Sequence, residues 1–129
     1  MSKGLTLIET IIGVAVISIG VVFIVSVFPL GARIVELNQK SNTALFLASA
    51  QIESTVSQEY DDLEKGVFLE DFGEITRFEE YSRETEISCF DPENENCVED
   101  TGMKKVVVTV KPRTSKEAET NLTVIITER

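Results

Sequence analysis

The sequence contains no histidine, and this absence restricts the chemistry open to the protein. Histidine is the commonest general base and a preferred zinc ligand. Serine, aspartate and glutamate are plentiful, but without histidine or a glycine-rich nucleophile turn they form no recognisable catalytic triad. A hydrolase with paired carboxylates would need a cleft that a domain this small hardly supplies. We therefore expect a protein that is not an enzyme and has no cofactor.

Basic residues are scarce as well. The 129 residues include 12 Lys and Arg against 22 Asp and Glu, which gives a net charge of −10. All of these charges except Lys3 and Glu9 lie beyond residue 32. Because such an acidic surface repels phosphate backbones, nucleic acid is not an expected partner. Calcium, basic partners and neighbouring subunits stay open as ligands.

Charge is absent altogether from the 23 residues between Thr10 and Ala32. As a helix this segment measures about 34 Å, enough to cross the hydrocarbon core of a bilayer. The preceding Lys3 favours a cytoplasmic N-terminus, with the rest of the chain on the other side of the membrane.

Pro29 lacks an N–H group, so a bend in the helix near residues 25–29 is predicted. The small residues Gly13, Ser18 and Gly20 would allow neighbouring helices to approach closely, although glycine is also simply common in membrane helices.

A cleaved secretory signal is one alternative interpretation of this segment, and a plain signal anchor is another. The secretory signal is disfavoured because Glu9 would interrupt its apolar region and because hydrophobicity continues past Gly20. Glu9 is itself the strongest functional candidate, since burying a carboxylate in a membrane is costly unless it is paired. The alternative for Glu9 is a solvated residue at the end of a helix.

Beyond Ala32, apolar and small residues recur at steps of three and four, the spacing of one helical face. No glycine or proline interrupts residues 33–62, so we predict that the helix continues to about Tyr60 and reaches roughly 80 Å in total. A coiled coil is disfavoured because the pattern spans only about three heptads. The predicted stripe comprises Ile34, Leu37, Ser41, Leu45, Ala48, Ile52 and Val56.

Strand patterns follow the helix. Residues 105–111 and 122–127 both alternate between apolar and polar positions, and the polar segment 112–120 between them is typical of a long hairpin loop. A third strand is indicated around Ile87, and residues 66–81 hold a further one. Packing the apolar faces of these strands against the helix predicts an α+β fold, with a small antiparallel sheet on the second half of a long N-terminal helix.

Two cysteines, Cys89 and Cys97, flank the polar sequence FDPENEN. Outside the cytoplasm a disulfide is their expected state, and closing so short a loop contributes roughly 2–3 kcal/mol. Two free thiols are the alternative. Asp91, Glu93 and Glu95 are weak calcium-ligand candidates in the same loop. Because the glycine of an EF-hand loop is missing, a solvated acidic loop is favoured and no metal site is assigned.

The N-terminal residues Lys3-Gly4-Leu5-Thr6-Leu7-Ile8-Glu9 resemble the prepilin signature of type IV pilins and type II secretion pseudopilins. In that family a membrane peptidase removes a short basic leader that ends in glycine. The resemblance implies cleavage after Gly4, N-methylation at Leu5 and pairing of Glu9 with the freed α-amine of a neighbouring subunit. Leu5 stands where the family usually has phenylalanine. A looser likeness to minor pilins and minor pseudopilins continues through the sequence ALFLASAQIES.

The resemblance also implies an organisation and a function. Residues 1–4 would be the leader, residues 5–32 the transmembrane and filament-core helix, and residues 33–129 an extracytoplasmic head, in a type IV pilin-like fold. The protein would be a minor subunit of a type IV pilus or related filament, stored in the cytoplasmic membrane before assembly. Its partners would be other pilin or pseudopilin subunits, a prepilin peptidase, an inner-membrane assembly platform and membrane lipid. The alternatives are a minor pseudopilin of a type II secretion system and a single-pass protein that binds a ligand through its Cys loop.

Overall fold

A computed structural model describes residues 6–93, 97 and 101–128 of the chain. In these residues one α-helix precedes four β-strands, and contacts divide the chain into two compact units, Met1–Glu36 and Leu37–Arg129. Two short 3₁₀ helices, Tyr60–Asp62 and Lys116–Ala118, lie between the larger elements. The larger elements are α1 (Leu7–Val56), β1 (Gly66–Glu70), β2 (Tyr81–Cys89), β3 (Met103–Pro112) and β4 (Thr120–Thr127).

The first unit contains the apolar part of α1. This helix is long and apolar enough to cross a membrane, as the sequence predicts. The large apolar side chains from Leu7 to Leu30 are between 47% and 79% exposed, so the described chain leaves them uncovered. Ser18 and Ser26 donate their hydroxyls to the carbonyls four residues earlier, at 2.7 and 2.8 Å. This local bonding satisfies polar groups that an apolar environment would otherwise penalise.

The second unit contains a four-stranded antiparallel sheet in the order β1-β2-β3-β4. Successive side chains of a strand point to opposite faces, and the alternation predicted for the valines of β3 places three of them at 0% exposure. The hairpin between β3 and β4 is also confirmed, as are strands near Ile87 and after residue 66. The fully buried valines are Val106, Val108 and Val110.

The core lies between this face of the sheet and the part of α1 that follows Leu37. The helix contributes Ala44, Leu47 and Ala48, so the α+β layout is as predicted. The predicted stripe was partly wrong, because Ile34, Leu45 and Val56 are 51%, 44% and 48% exposed. Leu45 has the same size as the buried Leu47, so its exposure follows from its position: it lies about 100° around the helix from Ala44, beside the face that packs on the sheet.

The end of α1 also differs from the prediction, since the helix stops at Val56 rather than near Tyr60. Residues 54–57 are serine, threonine and valine, which have weak helix propensity. A 3₁₀ turn follows, and Lys104 holds it: its ammonium donates to the carbonyls of Tyr60 at 2.6 Å and Leu63 at 3.0 Å. Lys104 is only 5% exposed. Its buried ammonium therefore links β3 to the segment that leaves the helix.

Arg83 makes a second polar link inside the second unit. Its guanidinium contacts one carboxylate oxygen of Glu70 at 2.5 and 2.6 Å, and its remaining terminal nitrogen lies 3.4 Å from the carbonyl oxygen of Leu47. The contact joins the edge strand β1 to β2 and to α1. Because the Arg83 side chain is 14% exposed and Glu70 is 39% exposed, solvent screens the pair only in part.

Candidate functional site

A candidate functional site lies at the first turn of α1, where Thr6 precedes the helix and Glu9 is its third residue. The backbone N–H of Glu9 donates to the Thr6 hydroxyl at 3.4 Å. In return, the Glu9 carboxylate accepts from the Thr6 N–H at 3.4 Å and from the Thr6 hydroxyl at 3.3 Å. This reciprocal arrangement is a capping box. It gives the N–H of Thr6 an acceptor, and it adds the Thr6 hydroxyl to the bond that the N–H of Glu9 already makes to the Thr6 carbonyl at 3.0 Å.

Both hydrogen bonds from Thr6 end on the same carboxylate oxygen, Oε2. The other oxygen, Oε1, takes part in neither, and within the described residues no lysine or arginine forms a salt bridge with Glu9. The side chain is exposed. Glu9 therefore combines a capping role within its own chain with an oxygen that can accept a bond from a cation.

The sequence pattern contained a signal for the cap, because threonine followed three residues later by glutamate is the capping-box signature. The prepilin resemblance drew attention to Glu9 alone, and the role of Thr6 was missed. Two other residues of the predicted site, Gly4 and Leu5, lie outside the described residues. Pro29 lies within α1, and the bend predicted at this position stays a prediction.

Gly13 and Gly20 lie on the apolar part of α1 and have open surroundings in the described chain. A Cβ atom built on either glycine meets no atom within 4 Å, apart from the adjacent helix backbone. The chain's own packing therefore does not require a glycine at either position. Any requirement for a small residue there would come from a neighbouring molecule.

The disulfide between Cys89 and Cys97 is present, as predicted. It closes a loop whose base is also held by hydrogen bonds: the N–H of Phe90 donates to the carbonyl of Met103 at 2.9 Å, and the Thr101 hydroxyl donates to the carbonyl of Phe90 at 2.5 Å. The bridge and these bonds fix the two ends of the loop at the end of β2 and the start of β3.

The calcium candidates of this loop are only partly described. The Asp91 carboxylate accepts a hydrogen bond from the N–H of Glu93 at 2.9 Å, which is a local turn interaction. Glu95 lies outside the described residues. Within the described part of the chain no group of three acidic, cysteine or histidine side chains is placed to hold a metal ion.

Two grooves on the second unit were not predicted from the sequence. One, of about 700 Å³, lies between the end of α1 and β4, and the other, of about 380 Å³, lies beside β1 near Phe68 and Arg83. Grooves of this kind depend on which strands form the edges of the sheet. Local sequence patterns do not give the strand order, although the lack of charged residues in β4 is visible in the sequence.

Comparison of the chain with protein-family models, with curated proteins and with solved structures finds no match.

Proposed function

We propose that the protein is a type IV pilin-like subunit that is stored in the membrane and assembled into a filament through α1. The observation that carries this proposal is the position of Glu9, a carboxylate in the first turn of a helix that is apolar enough to cross a membrane. The exposed side chains from Leu7 to Leu30 support it, because they need either lipid or neighbouring helices to cover them.

The head supports the same proposal. An α+β unit with a four-stranded antiparallel sheet against a helix is the layout that a pilin-like head requires. The Cys89–Cys97 bridge agrees with a head on the oxidising side of the membrane. Cleavage after Gly4 would then release the leader on the opposite side and expose the α-amine of Leu5.

Assembly would bring Glu9 into a dry environment between packed helices. There a carboxylate is stable only when it is paired, and attraction between opposite charges is much stronger than in water. The Leu5 amine of a neighbouring subunit would supply the cation at Oε1, while Thr6 continues to occupy Oε2. Such a pair fixes the axial position of each subunit relative to the next.

Substitution of Glu9 tests this mechanism. Glu9→Leu should insert into membranes at least as well as the wild type, because an apolar residue replaces a carboxylate. Its incorporation into filaments should fall by about tenfold or more, because the neighbouring amine is left buried without a counter-charge. The measurement is the ratio of subunit in sheared filaments to subunit in membranes, with intact mass confirming that cleavage after Gly4 still occurs.

The same experiment separates the proposal from a single-pass ligand-binding protein. A protein of that kind needs its helix only as an anchor, so Glu9→Leu would leave its membrane level and its binding unchanged. If wild type and Glu9→Leu enter filaments equally, the proposed assembly mechanism is wrong. A mature chain that begins before Leu5, or one cut near Gly20, would contradict the proposed processing.

A further inference from the structure

The strand β4 is an edge of the sheet, and it lacks the features by which proteins normally protect such an edge. Its sequence, TNLTVIIT, contains no charged residue and no proline, although Asp, Glu, Lys and Arg make up 26% of the chain. Charged side chains, prolines, bulges and short length are the usual means of preventing an edge strand from pairing with another chain. With eight residues, β4 is also longer than the opposite edge strand β1, which has five.

Hydrogen bonds at the end of β4 establish which of its backbone groups face outwards. The N–H of Glu128 donates to the carbonyl of Gly102 at 2.9 Å, so this pair is hydrogen-bonded to β3. In an antiparallel ladder such pairs alternate with pairs whose backbone groups point away. The next pair along the ladder, Thr127 with Met103, is therefore not hydrogen-bonded, and neither is every second pair after it. The backbone N–H and C=O groups that point outwards from β4 belong to Asn121, Thr123, Ile125 and Thr127.

The hydrogen bond from the N–H of Phe90 to the carbonyl of Met103 agrees with this assignment, because it shows that the backbone groups of odd-numbered β3 residues point towards β2. Applied to β1, the same alternation leaves only Val67 and Leu69 with outward backbone groups. A peptide strand could therefore form twice as many backbone contacts with β4 as with β1. Between the two edges, β4 is the better template for an added strand.

A groove of about 700 Å³ lies against the second half of β4. On one side it is bounded by residues 124–128, and on the other by residues 56 and 58–61. Val56, which is 48% exposed, and the partly buried Val124 and Ile126, whose side chains lie on the helix side of the sheet, give it apolar surface. An added strand would place every second side chain in this groove, where apolar side chains would lose contact with water.

The charge of the groove indicates which kind of partner segment could bind beside β4. Its lining contains Glu59, Asp61 and Glu128 and no lysine or arginine. A second copy of this chain that paired through its own β4 would bring a second acidic groove close to the first, so local repulsion disfavours it. An extended segment with uncharged alternating residues and a flanking lysine or arginine matches both the unpaired backbone and the acidic end of the groove.

From these observations we infer that β4 is a strand-addition site for an extended, cation-flanked peptide segment of a partner protein. The partner strand extends the sheet by one strand through the backbone of Asn121, Thr123, Ile125 and Thr127. Its cationic residue lies beside Glu59, Asp61 and Glu128. The inference concerns the head alone and does not depend on the proposed role of Glu9.

A synthetic peptide of alternating valine and threonine with a lysine at each end provides the probe. Added to the full chain in detergent micelles, it should slow hydrogen exchange at the amides of Thr123 and Ile125 by about tenfold, since these N–H groups gain a partner. The amide of Val124, which already bonds to β3, should change little. A twin peptide with a glutamate at each end should bind about tenfold more weakly at low salt.

Proline substitutions supply a matched pair of variants. Ile125→Pro removes one outward N–H without breaking the ladder to β3, and proline is tolerated at such edge positions. It should weaken binding of the lysine peptide by about tenfold. Val67→Pro makes the equivalent change on β1 and should leave binding within about twofold of wild type. Circular dichroism and intact β3 amide protection establish that each variant is folded.

Several results would overturn the inference. They are an unchanged exchange rate at Thr123 and Ile125, equal binding of the two peptides, or equal effects of Ile125→Pro and Val67→Pro. Efficient disulfide crosslinking between copies carrying Thr123→Cys, in the absence of peptide, would identify the occupant as a second copy and would also contradict it.

Discussion

Thr6 and Glu9 bind each other at the start of α1: the Glu9 N–H donates to the Thr6 hydroxyl, and the Thr6 N–H donates to the Glu9 carboxylate, both at 3.4 Å. The capping box and the proposed filament contact therefore use the same carboxylate through different oxygens. Because Thr6 acts only in the cap, the two roles of Glu9 can be separated by substitution.

Thr6→Ala should destabilise the first turn of α1 without preventing assembly. Alanine cannot accept the hydrogen bond from the Glu9 N–H, so amides of the first turn should exchange about fivefold faster, which corresponds to a typical capping contribution. The charge at Glu9 is retained, and incorporation into filaments should stay within about twofold of wild type. Hydrogen exchange in micelles and the filament-to-membrane ratio measure the two effects.

Glu9→Gln is the reciprocal control. Glutamine supports a capping box, so the first turn should keep its protection, while the loss of charge should reduce filament incorporation about as much as Glu9→Leu does. If Thr6→Ala reduced incorporation as strongly as Glu9→Gln, helix capping rather than charge pairing would explain the importance of Glu9.

A second prediction concerns Lys104 and the stability of the head. Lys104→Met keeps the aliphatic length but removes the ammonium that bonds to the carbonyls of Tyr60 and Leu63 and lies 4.0 Å from the centre of the Tyr60 ring. The Tyr60 carbonyl keeps its bond from the N–H of Leu63 at 3.3 Å, so the loss falls mainly on the Leu63 carbonyl. Unsatisfied buried carbonyls cost about 1–3 kcal/mol, partly offset because the buried charge is also removed. We expect a net loss of about 1–2 kcal/mol in the free energy of unfolding, measured with denaturant.

The adjacent Lys105 provides the control, because it lies on the opposite face of β3 and is only partly buried. Lys105→Met should change the free energy of unfolding by less than about 0.5 kcal/mol. Equal stability of Lys104→Met and the wild type would show that apolar packing compensates for the lost hydrogen bonds.

The contrast between Val108 and Lys104 explains how much of this fold the sequence could predict. Val108 belongs to an alternating apolar pattern, and such a pattern identifies a buried strand face from local information alone. Lys104 lies on the same face, but its burial depends on carbonyls about 40 residues away in the chain that become acceptors only after the 3₁₀ turn has packed onto β3. Contacts of that kind leave no local signal.

In α1, too, the local sequence pattern did not reveal which residues pack against the sheet. The sequence pattern identified its second half as amphipathic, but it placed the exposed Leu45 in the core and overlooked Thr55, whose hydroxyl donates to the carbonyl of Gln51 at 2.8 Å. Side-chain hydrophobicity and helical spacing cannot decide which residue of a helix comes nearest to a sheet. At Glu9 and Thr6, by contrast, the capping signature was local and could have been recognised from the sequence.

The disulfide leads to a third prediction. Replacing both Cys89 and Cys97 by serine should lower the free energy of unfolding by roughly 2–3 kcal/mol, because the bridge restricts the unfolded chain. The sheet should still form, since the bond from Phe90 to Met103 and the pairing of β2 with β3 remain. Denaturant unfolding and amide protection in β3 measure the two effects. Free alkylation of both thiols in the exported wild type would contradict the bridge itself.

The last prediction uses Gly20 to test whether α1 packs closely against neighbouring helices. Gly20→Ala has no steric cost within the described chain, because a Cβ atom at this position meets nothing within 4 Å outside the adjacent helix backbone. Alanine also favours the helix by about 1 kcal/mol relative to glycine. Membrane levels of the variant should therefore equal or exceed those of the wild type.

In a filament with closely packed helices, the added methyl group would separate the backbones, so incorporation of Gly20→Ala should fall by about tenfold. Gly31→Ala is the matched control: it has equally open surroundings and the same gain in helix propensity, but it lies outside the Gly13–Gly20 segment proposed for close approach. Its incorporation should stay within about twofold of wild type. If both variants assemble normally, the glycines of α1 are not contact points; if both fail, the packing extends along the whole apolar helix rather than being confined to that segment.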